Sequence, residues 1–168
     1  MGKERIFSTL SPEEEKEILK QCKLLNIRKG ETLLRKDEPS IALYAVKSGK
    51  LRVVDEVPGK KMYLSTIGPN ELFGEMSFLD EQPRSATVTA IEKAELYRMT
   101  KENLLRLLLE KPSLAARMLL SIGIMLVGRL RRADSALLSL SISPQATDNL
   151  GELIDAVKGK KNVKTKDL

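Results

Sequence analysis

The spacing of apolar positions changes twice along this 168-residue chain, and it begins at helical period. Ser11 can cap a helix, Pro12 suits its first position, and Glu14 stands where a capping box needs an acid. The apolar stripe of this segment consists of Ile18, Leu19 and Leu25. The pattern predicts a short N-terminal helix that ends before Arg28.

The middle of the chain alternates apolar and polar residues in short runs, which is typical of half-buried strands. The runs are residues 32–34, 42–46, 51–54, 62–67, 86–90 and 96–98. Turn residues rich in Gly and Pro separate them, with no long helix between. We therefore expect a mainly β fold with flanking helices, in which residues 27–99 form an antiparallel barrel or jelly roll.

Helical spacing returns after Thr100. Residues 101–110 read as one helix that Pro112 stops, and a longer helix follows over residues 113–142. Its apolar residues recur at alternating spacings of three and four: Ala116, Leu119, Gly123, Leu126, Leu130, Ala133, Leu137 and Leu140. This heptad seam predicts pairing with a second copy as a homodimer. The alternative is a helix buried on both sides within one subunit, and residues 148–157 form a possible last helix.

A face of the long helix distinct from the heptad seam carries Met118, Ile122 and Met125. These residues are spaced to lie on one side of a helix, so we expect them to cover the barrel.

The composition removes most catalytic and metal chemistry. The chain has no histidine and one cysteine, Cys22. Ser-His-Asp and Cys-His catalysis, zinc clusters and His-ligated haem are thereby excluded, and a barrel enzyme of the cupin type would need metal-ligating histidines. We expect no catalytic residue, no metal site and no enzyme activity, and we interpret Cys22 as a small buried apolar residue.

The formal net charge of +6 is concentrated at the C-terminus. Residues 156–168 hold five lysines and one aspartate, or +4, so the other 155 residues carry +2. Such a tail is usually a solvated terminus, and an anion-binding arm is the alternative. No secretory signal is seen, and the longest uncharged apolar stretch, residues 118–128, is shorter than the roughly 20 residues of a membrane span. We expect a cytoplasmic protein with no membrane or nucleic-acid partner of its own.

Residues 73–88 interrupt the strands with a short helical turn that begins at Gly74. A helix N-terminus offers free N–H groups to an anion, and a glycine there lets the backbone approach it. Arg84 can hold two phosphate oxygens, whereas the acceptor-only carboxylate of Glu75 suits a ribose hydroxyl. Ser85 can donate to a phosphate or a base edge. The combination indicates a compact phosphorylated nucleoside as ligand.

This segment resembles the phosphate-binding cassette of the cyclic nucleotide-binding domain family. The matching runs are Phe-Gly-Glu-Met-Ser-Phe-Leu at 73–79 and Pro-Arg-Ser-Ala-Thr-Val at 83–88. The likeness extends upstream through residues 29–33 and 43–54, and with the helices it covers roughly residues 6–138. It implies a cyclic nucleotide-binding β-roll, or double-stranded β-helix, in a domain over residues 1–142, followed by a short Lys-rich segment at 143–168.

The resemblance also implies roles for individual residues. Glu75 would bind the ribose 2′-OH and Arg84 the cyclic phosphate, with Val53 and Leu64 beside the base. The rest of the implied phosphate shell comprises Gly74, Met76, Ser85 and Ala86, and Phe73 and Ser77 are further expected site residues.

The base-capping helix departs from the family pattern, because it is about one turn longer than in the catabolite activator. Its candidate base contacts are therefore Arg131, Asp134 and Ser135. Asp134 could accept from guanine, and Ser85 is compatible with either base, but we favour cAMP over cGMP.

Three functions remain open from the sequence. The first is a stand-alone cyclic nucleotide sensor that signals to an unknown downstream protein, because the 30 residues after Leu138 show no DNA-reading motif. The second is the effector domain of a transcription regulator of the catabolite activator type, truncated here. The third is a ligand-free dimerisation module in which Glu75 and Arg84 form a surface ion pair.

Overall fold

Eight strands and four helices build the part of the chain that this computed structural model describes, residues 6–57 and 60–141. The strands are β1 (Lys23–Ile27), β2 (Thr32–Leu34), β3 (Ala42–Ser48), β4 (Leu51–Val57), β5 (Lys60–Ile67), β6 (Leu72–Phe73), β7 (Thr87–Ala90) and β8 (Ala94–Thr100). The helices are α1 (Pro12–Lys20), α2 (Glu75–Asp80), α3 (Lys101–Glu110) and α4 (Pro112–Ser141).

The strands form two antiparallel sheets of four, in the orders β1-β8-β3-β6 and β2-β7-β4-β5. Alternate residues of each strand point to the same side, so each sheet contributes one apolar face to a shared core. That core consists of Ile27, Leu34, Ala42, Tyr44, Val46, Leu51, Ile67, Phe73, Val88, Ala90, Ala94 and Leu96. The predicted jelly roll with flanking helices is confirmed.

Helix α1 is fastened to the start of α4. The predicted capping box of Ser11 and Glu14 is present, and Arg117 on α4 forms an ion pair with the Glu14 carboxylate. Deeper in the contact, the Ser121 hydroxyl lies 2.6 Å from the Thr9 hydroxyl and accepts from the Thr9 N–H at 3.1 Å. Met118 and Ile122 of the predicted barrel-covering face are fully buried, and Met125 is half-buried, while their contact with the barrel remains a prediction.

The apolar spacing of the sequence does not reveal the first strand, β1. Leu25 was expected in the stripe of the N-terminal helix, but α1 ends at Lys20 and Leu25 lies in β1. The roll therefore begins at Lys23 rather than residue 27. The five residues of β1 pair in register with β8, from Lys23 opposite Arg98 to Ile27 opposite Ala94. Those backbone hydrogen bonds are non-local, so local spacing does not reveal them.

The lone cysteine lies just beyond α1 and is half-buried. Its thiol donates to the carbonyl oxygen of Ile18 at 3.5 Å. Burial raises the pKa of Cys22 to about 12, so the thiol stays protonated at neutral pH.

The chain divides into two compact units, Met1–Ile122 and Gly123–Leu168. The first holds both sheets, and the described part of the second is the remainder of α4. The expected domain boundary at residue 142 and the expected helix at 148–157 lie outside the described residues. Over Pro112–Ser139, α4 is long and apolar enough to cross a membrane by length and composition, a test that core helices of soluble proteins also pass.

We predict that Ser121→Ala lowers the free energy of unfolding by about 1–2 kcal/mol, because it removes the buried partner of Thr9. Ser139→Ala is the matched control, since its exposed hydroxyl bonds only to the Ala136 carbonyl of its own helix among the described contacts. It should change stability by less than about 0.5 kcal/mol. Urea unfolding measures both, and equal losses would contradict this account of the junction.

Candidate functional site

The cassette begins where β6 turns into α2. Gly74 caps α2 in the left-handed region, at φ 76°. A Cβ at this position would stand 2.7 Å from Nη1 of Arg84 and 2.9 Å from the carbonyl oxygen of Ala42. Both the backbone angle and the space therefore require glycine here. The predicted short helix starting at Gly74 is confirmed.

Arg84 fills the space that Gly74 leaves. Its side chain is only 3% exposed, and Nη1 donates to the Gly74 carbonyl at 3.0 Å. Nη2 donates to the Ser40 hydroxyl at 3.0 Å and to the Ala42 carbonyl at 2.9 Å. The guanidinium carbon also lies 5.8 Å from the ring centre of Tyr44. Ser40, Ala42 and Tyr44 were not foreseen from the sequence.

The backbone of Arg84 is also fixed. Its N–H donates to the carbonyl of Glu38 at 3.1 Å, and its own carbonyl accepts from Asp37 at 2.9 Å. The arginine is thus held at both ends, and its guanidinium is pre-oriented before any ligand arrives.

One donor of Arg84 has no protein partner. Its Nε is buried and makes no hydrogen bond within the described structure. Burial lowers the pKa of Arg84, partly offset by the nearby phenol of Tyr44 and carboxylate of Glu75. A buried, unpaired N–H of a cation is costly, and an anionic oxygen would relieve that cost. The Nε of Arg117, at the junction of α1 and α4, is buried and unpaired in the same way, so this feature indicates a ligand only together with the cassette around Arg84.

Glu75 is the first residue of α2 and is 5% exposed. An acid in the first helical turn is favoured by the helix dipole. The charge of its carboxylate acts to raise the pKa of Arg84, against the larger effect of burial. Both side chains are buried rather than on the surface.

The remaining cassette residues divide into supports and open positions. Phe73 stacks on Tyr44 with ring centres 5.2 Å apart, and the Ser77 hydroxyl donates to the Pro83 carbonyl at 3.4 Å. Both supports are buried. Met76 and Ser85 are exposed, with sulfur and hydroxyl 3.9 Å apart, and Ala86 is half-buried. The exposed pair is open to solvent, and its contact with a ligand remains a prediction.

Val53 and Leu64 lie on neighbouring strands of the second sheet. Val53 pairs with Ser65 on one side and Val88 on the other. The register shifts beside Val53, which leaves Leu64 as the extra residue of a β-bulge. Val53 packs against the core, whereas Leu64 is 47% exposed. Their role beside a base remains a prediction.

Arg131, Asp134 and Ser135 lie on the part of α4 that belongs to the second unit, and all three are exposed. The Ser135 hydroxyl donates to the Arg131 carbonyl at 2.9 Å. Their contact with a base also remains a prediction.

We predict that Gly74→Ala displaces Arg84 and lowers the free energy of unfolding by about 2–3 kcal/mol, through backbone strain and the clash with Nη1. Gly68→Ala is the control, because its Cβ would meet only the Glu71 carboxylate at 3.7 Å. Thermal unfolding compares the two variants. Tolerance of alanine at both positions would show that the Gly74 space is not needed.

Comparison with known proteins places this site in context. The family model of the cyclic nucleotide-binding domain matches residues 24–111. The cyclic AMP receptor protein of Thermus thermophilus is 36% identical over 81% of this chain and 62% of its own length. A cAMP-activated global transcriptional regulator of Mycobacterium tuberculosis is 29% identical over 80% of this chain and 59% of its own. This chain thus spans about three-fifths of these relatives.

Solved structures of other proteins have the same fold. The Thermus thermophilus catabolite activator protein superposes with a TM-score of 0.71 at 37% identity, covering 81% of this chain and 62% of that one. A cyclic nucleotide-binding domain from Methylobacillus flagellatus gives 0.73 at 24% identity, over 80% and 76%.

Proposed function

Because the chain belongs to the cyclic nucleotide-binding domain family, we propose that it is a sensor whose cassette binds cAMP in preference to cGMP. The observation that carries the proposal is the buried Arg84 with an unpaired Nε. A cyclic phosphate brings one negative charge and exposed oxygens, which can accept from that donor.

Glu75 supplies the second half of the recognition. Its carboxylate can only accept, so it would repel a phosphate and favour a hydroxyl donor. Standing one residue after Gly74 and near Arg84, it is placed for the ribose 2′-OH of a nucleotide whose phosphate meets the arginine. The remaining shell of Met76, Ser85 and Ala86 would line the phosphate, and Val53 with Leu64 the base.

The preference for cAMP rests on the relatives. The names of the Thermus thermophilus and Mycobacterium tuberculosis proteins specify cyclic AMP and activation by cAMP. Asp134 instead favours cGMP, because a carboxylate can accept from the N1–H and amino groups of guanine. A direct titration with both nucleotides decides between them.

Our proposal extends to a non-enzymatic, cytoplasmic regulator with no membrane partner. It rests on the family, whose model describes a binding domain. An effector domain of a transcription regulator is equally compatible, since the first relatives are longer than this chain. In that case the ligand site is the same and the DNA contacts belong to the rest of the protein.

We predict that calorimetric titration shows tight binding of cAMP and weaker binding of cGMP. Arg84→Ala should weaken cAMP binding by about 2–5 kcal/mol, which exceeds tenfold, because it removes the phosphate donor. Glu75→Gln should weaken it less, since an amide can still accept from the 2′-OH. Arg28→Ala is the control, because the side chain of Arg28 is exposed beyond the end of β1. This variant should bind cAMP with the affinity of the wild type.

Circular dichroism of each variant must first show a native fold. Flat traces of the wild-type chain with both nucleotides would reject the sensor and leave the dimerisation module. Tight cGMP binding alone would reverse the base preference.

Homodimer formation through α4 is the second element of our proposal. The helix exposes more apolar side chains than a monomeric surface helix needs, which favours a partner helix. The exposed set comprises Leu120, Ile124, Val127, Leu130, Leu137 and Leu138, each at least 50% exposed. Leu130 and Leu137 belong to the heptad seam, and Leu120, Ile124 and Val127 widen it.

We predict that light scattering gives twice the 18.8 kDa chain mass. The double variant Leu130→Glu with Leu137→Glu should run as a monomer, because two buried carboxylates would face their copies across the seam. Leu109→Glu is the control: Leu109 is 85% exposed but lies on α3. A monomeric wild type, or a dimeric double variant, would contradict the seam.

A further inference from the structure

Lys101 joins the cassette helix to the helix that follows the roll. It is the first residue of α3, yet its ammonium group contacts the far end of α2. Nζ donates to the carbonyl of Phe78 at 2.9 Å and lies 3.1 Å from the carboxylate of Glu81. The same nitrogen is 5.6 Å from the ring centre of the fully buried Phe78.

This position is unfavourable for α3 itself. The dipole of a helix favours acids in its first turn and bases in its last, so a lysine at the start of α3 opposes its own helix. The positive charge of Lys101 instead stabilises the C-terminal end of α2. The carbonyl of Phe78 is among the last four of α2, which have no partner within the helix, and a lysine at a helix C-terminus is favourable.

α2 needs such a contact because it is only six residues long. An isolated helix of this length is not stable in water, so tertiary contacts must fix it. Its N-terminal end is fixed by Gly74 and Arg84, as described above. Lys101 fixes the opposite end through a carbonyl, a carboxylate and an aromatic ring.

We propose that Lys101 is a positioning residue for nucleotide binding, which holds α2 so that Glu75 and the first-turn N–H groups are in place before the ligand arrives. The proposal rests on the function proposed above. Lys101 acts through α2, so its loss should weaken affinity by releasing a pre-organised helix. The exposed Glu81 contributes little alone, because surface ion pairs are weak.

The test compares Lys101→Met with Lys111→Met in the full chain. Both substitutions remove one positive charge from a lysine paired with a glutamate, but Lys111 pairs with Glu17 on α1 rather than with the cassette. Calorimetry with cAMP and cGMP should show about tenfold weaker binding for Lys101→Met, the effect of one lost charge-assisted hydrogen bond. Lys111→Met should bind within about twofold of wild type, and Lys101→Arg should recover most of the affinity.

Hydrogen exchange of the ligand-free chain gives a second readout. The Phe78 N–H donates to the Gly74 carbonyl and the Glu81 N–H to the Ser77 carbonyl. Lys101→Met should speed exchange at these amides while the sheet amides keep their protection. Equal affinities and equal exchange in the two methionine variants would overturn the proposal. If the wild type binds neither nucleotide, the proposed function fails. The exchange measurement then stands by itself: faster exchange of the α2 amides in Lys101→Met supports a positioning role for Lys101, and unchanged exchange contradicts it.

Discussion

The site depends on one buried cation. Arg84 is taken out of water and given three oxygen partners from two distant parts of the chain, Ser40 with Ala42 on one side and Gly74 on the other. Burying a charge is costly unless its donors are paired, and the Nε of Arg84 stays unpaired. Gly74, α2 and β3 accommodate that guanidinium, and its unpaired Nε is the donor that we propose an anion meets.

The cassette connects to the rest of the chain at both ends. At its start, Gly74 and Phe73 are packed on Tyr44 of β3, in the centre of the first sheet. At the C-terminal end of α2, Lys101, the first residue of α3, donates to the carbonyl of Phe78. A change in the position of α2 on ligand binding would therefore shift the hydrogen-bond partner of Lys101 and so act on α3. This is the physical route by which a small ligand can bias a helix beyond the roll.

Local patterns were enough to predict three features of the fold. The capping box at Ser11, the break at Pro112 and the glycine-started α2 are each encoded within a few residues. β1 was missed because its pairing partner lies more than 65 residues away, and two leucines beside an amphipathic helix look helical. The partners of Arg84 were missed for the same reason: Ser40 and Ala42 are some 40 residues distant. The position of β1 and the partners of Arg84 depend on non-local contacts, which the spacing of residues along the chain does not reveal.

The most direct test of this account follows the Nε–H of Arg84 itself by nitrogen-15 NMR, with the signal assigned by its loss in Arg84→Lys. On addition of the nucleotide that binds, the account predicts a downfield shift of that proton and slower exchange with water, because the orphaned donor gains a phosphate oxygen. Saturation of the protein with nucleotide while the Arg84 Nε–H signal stays unchanged would contradict it, since the ligand would then be held without the donor on which the site depends.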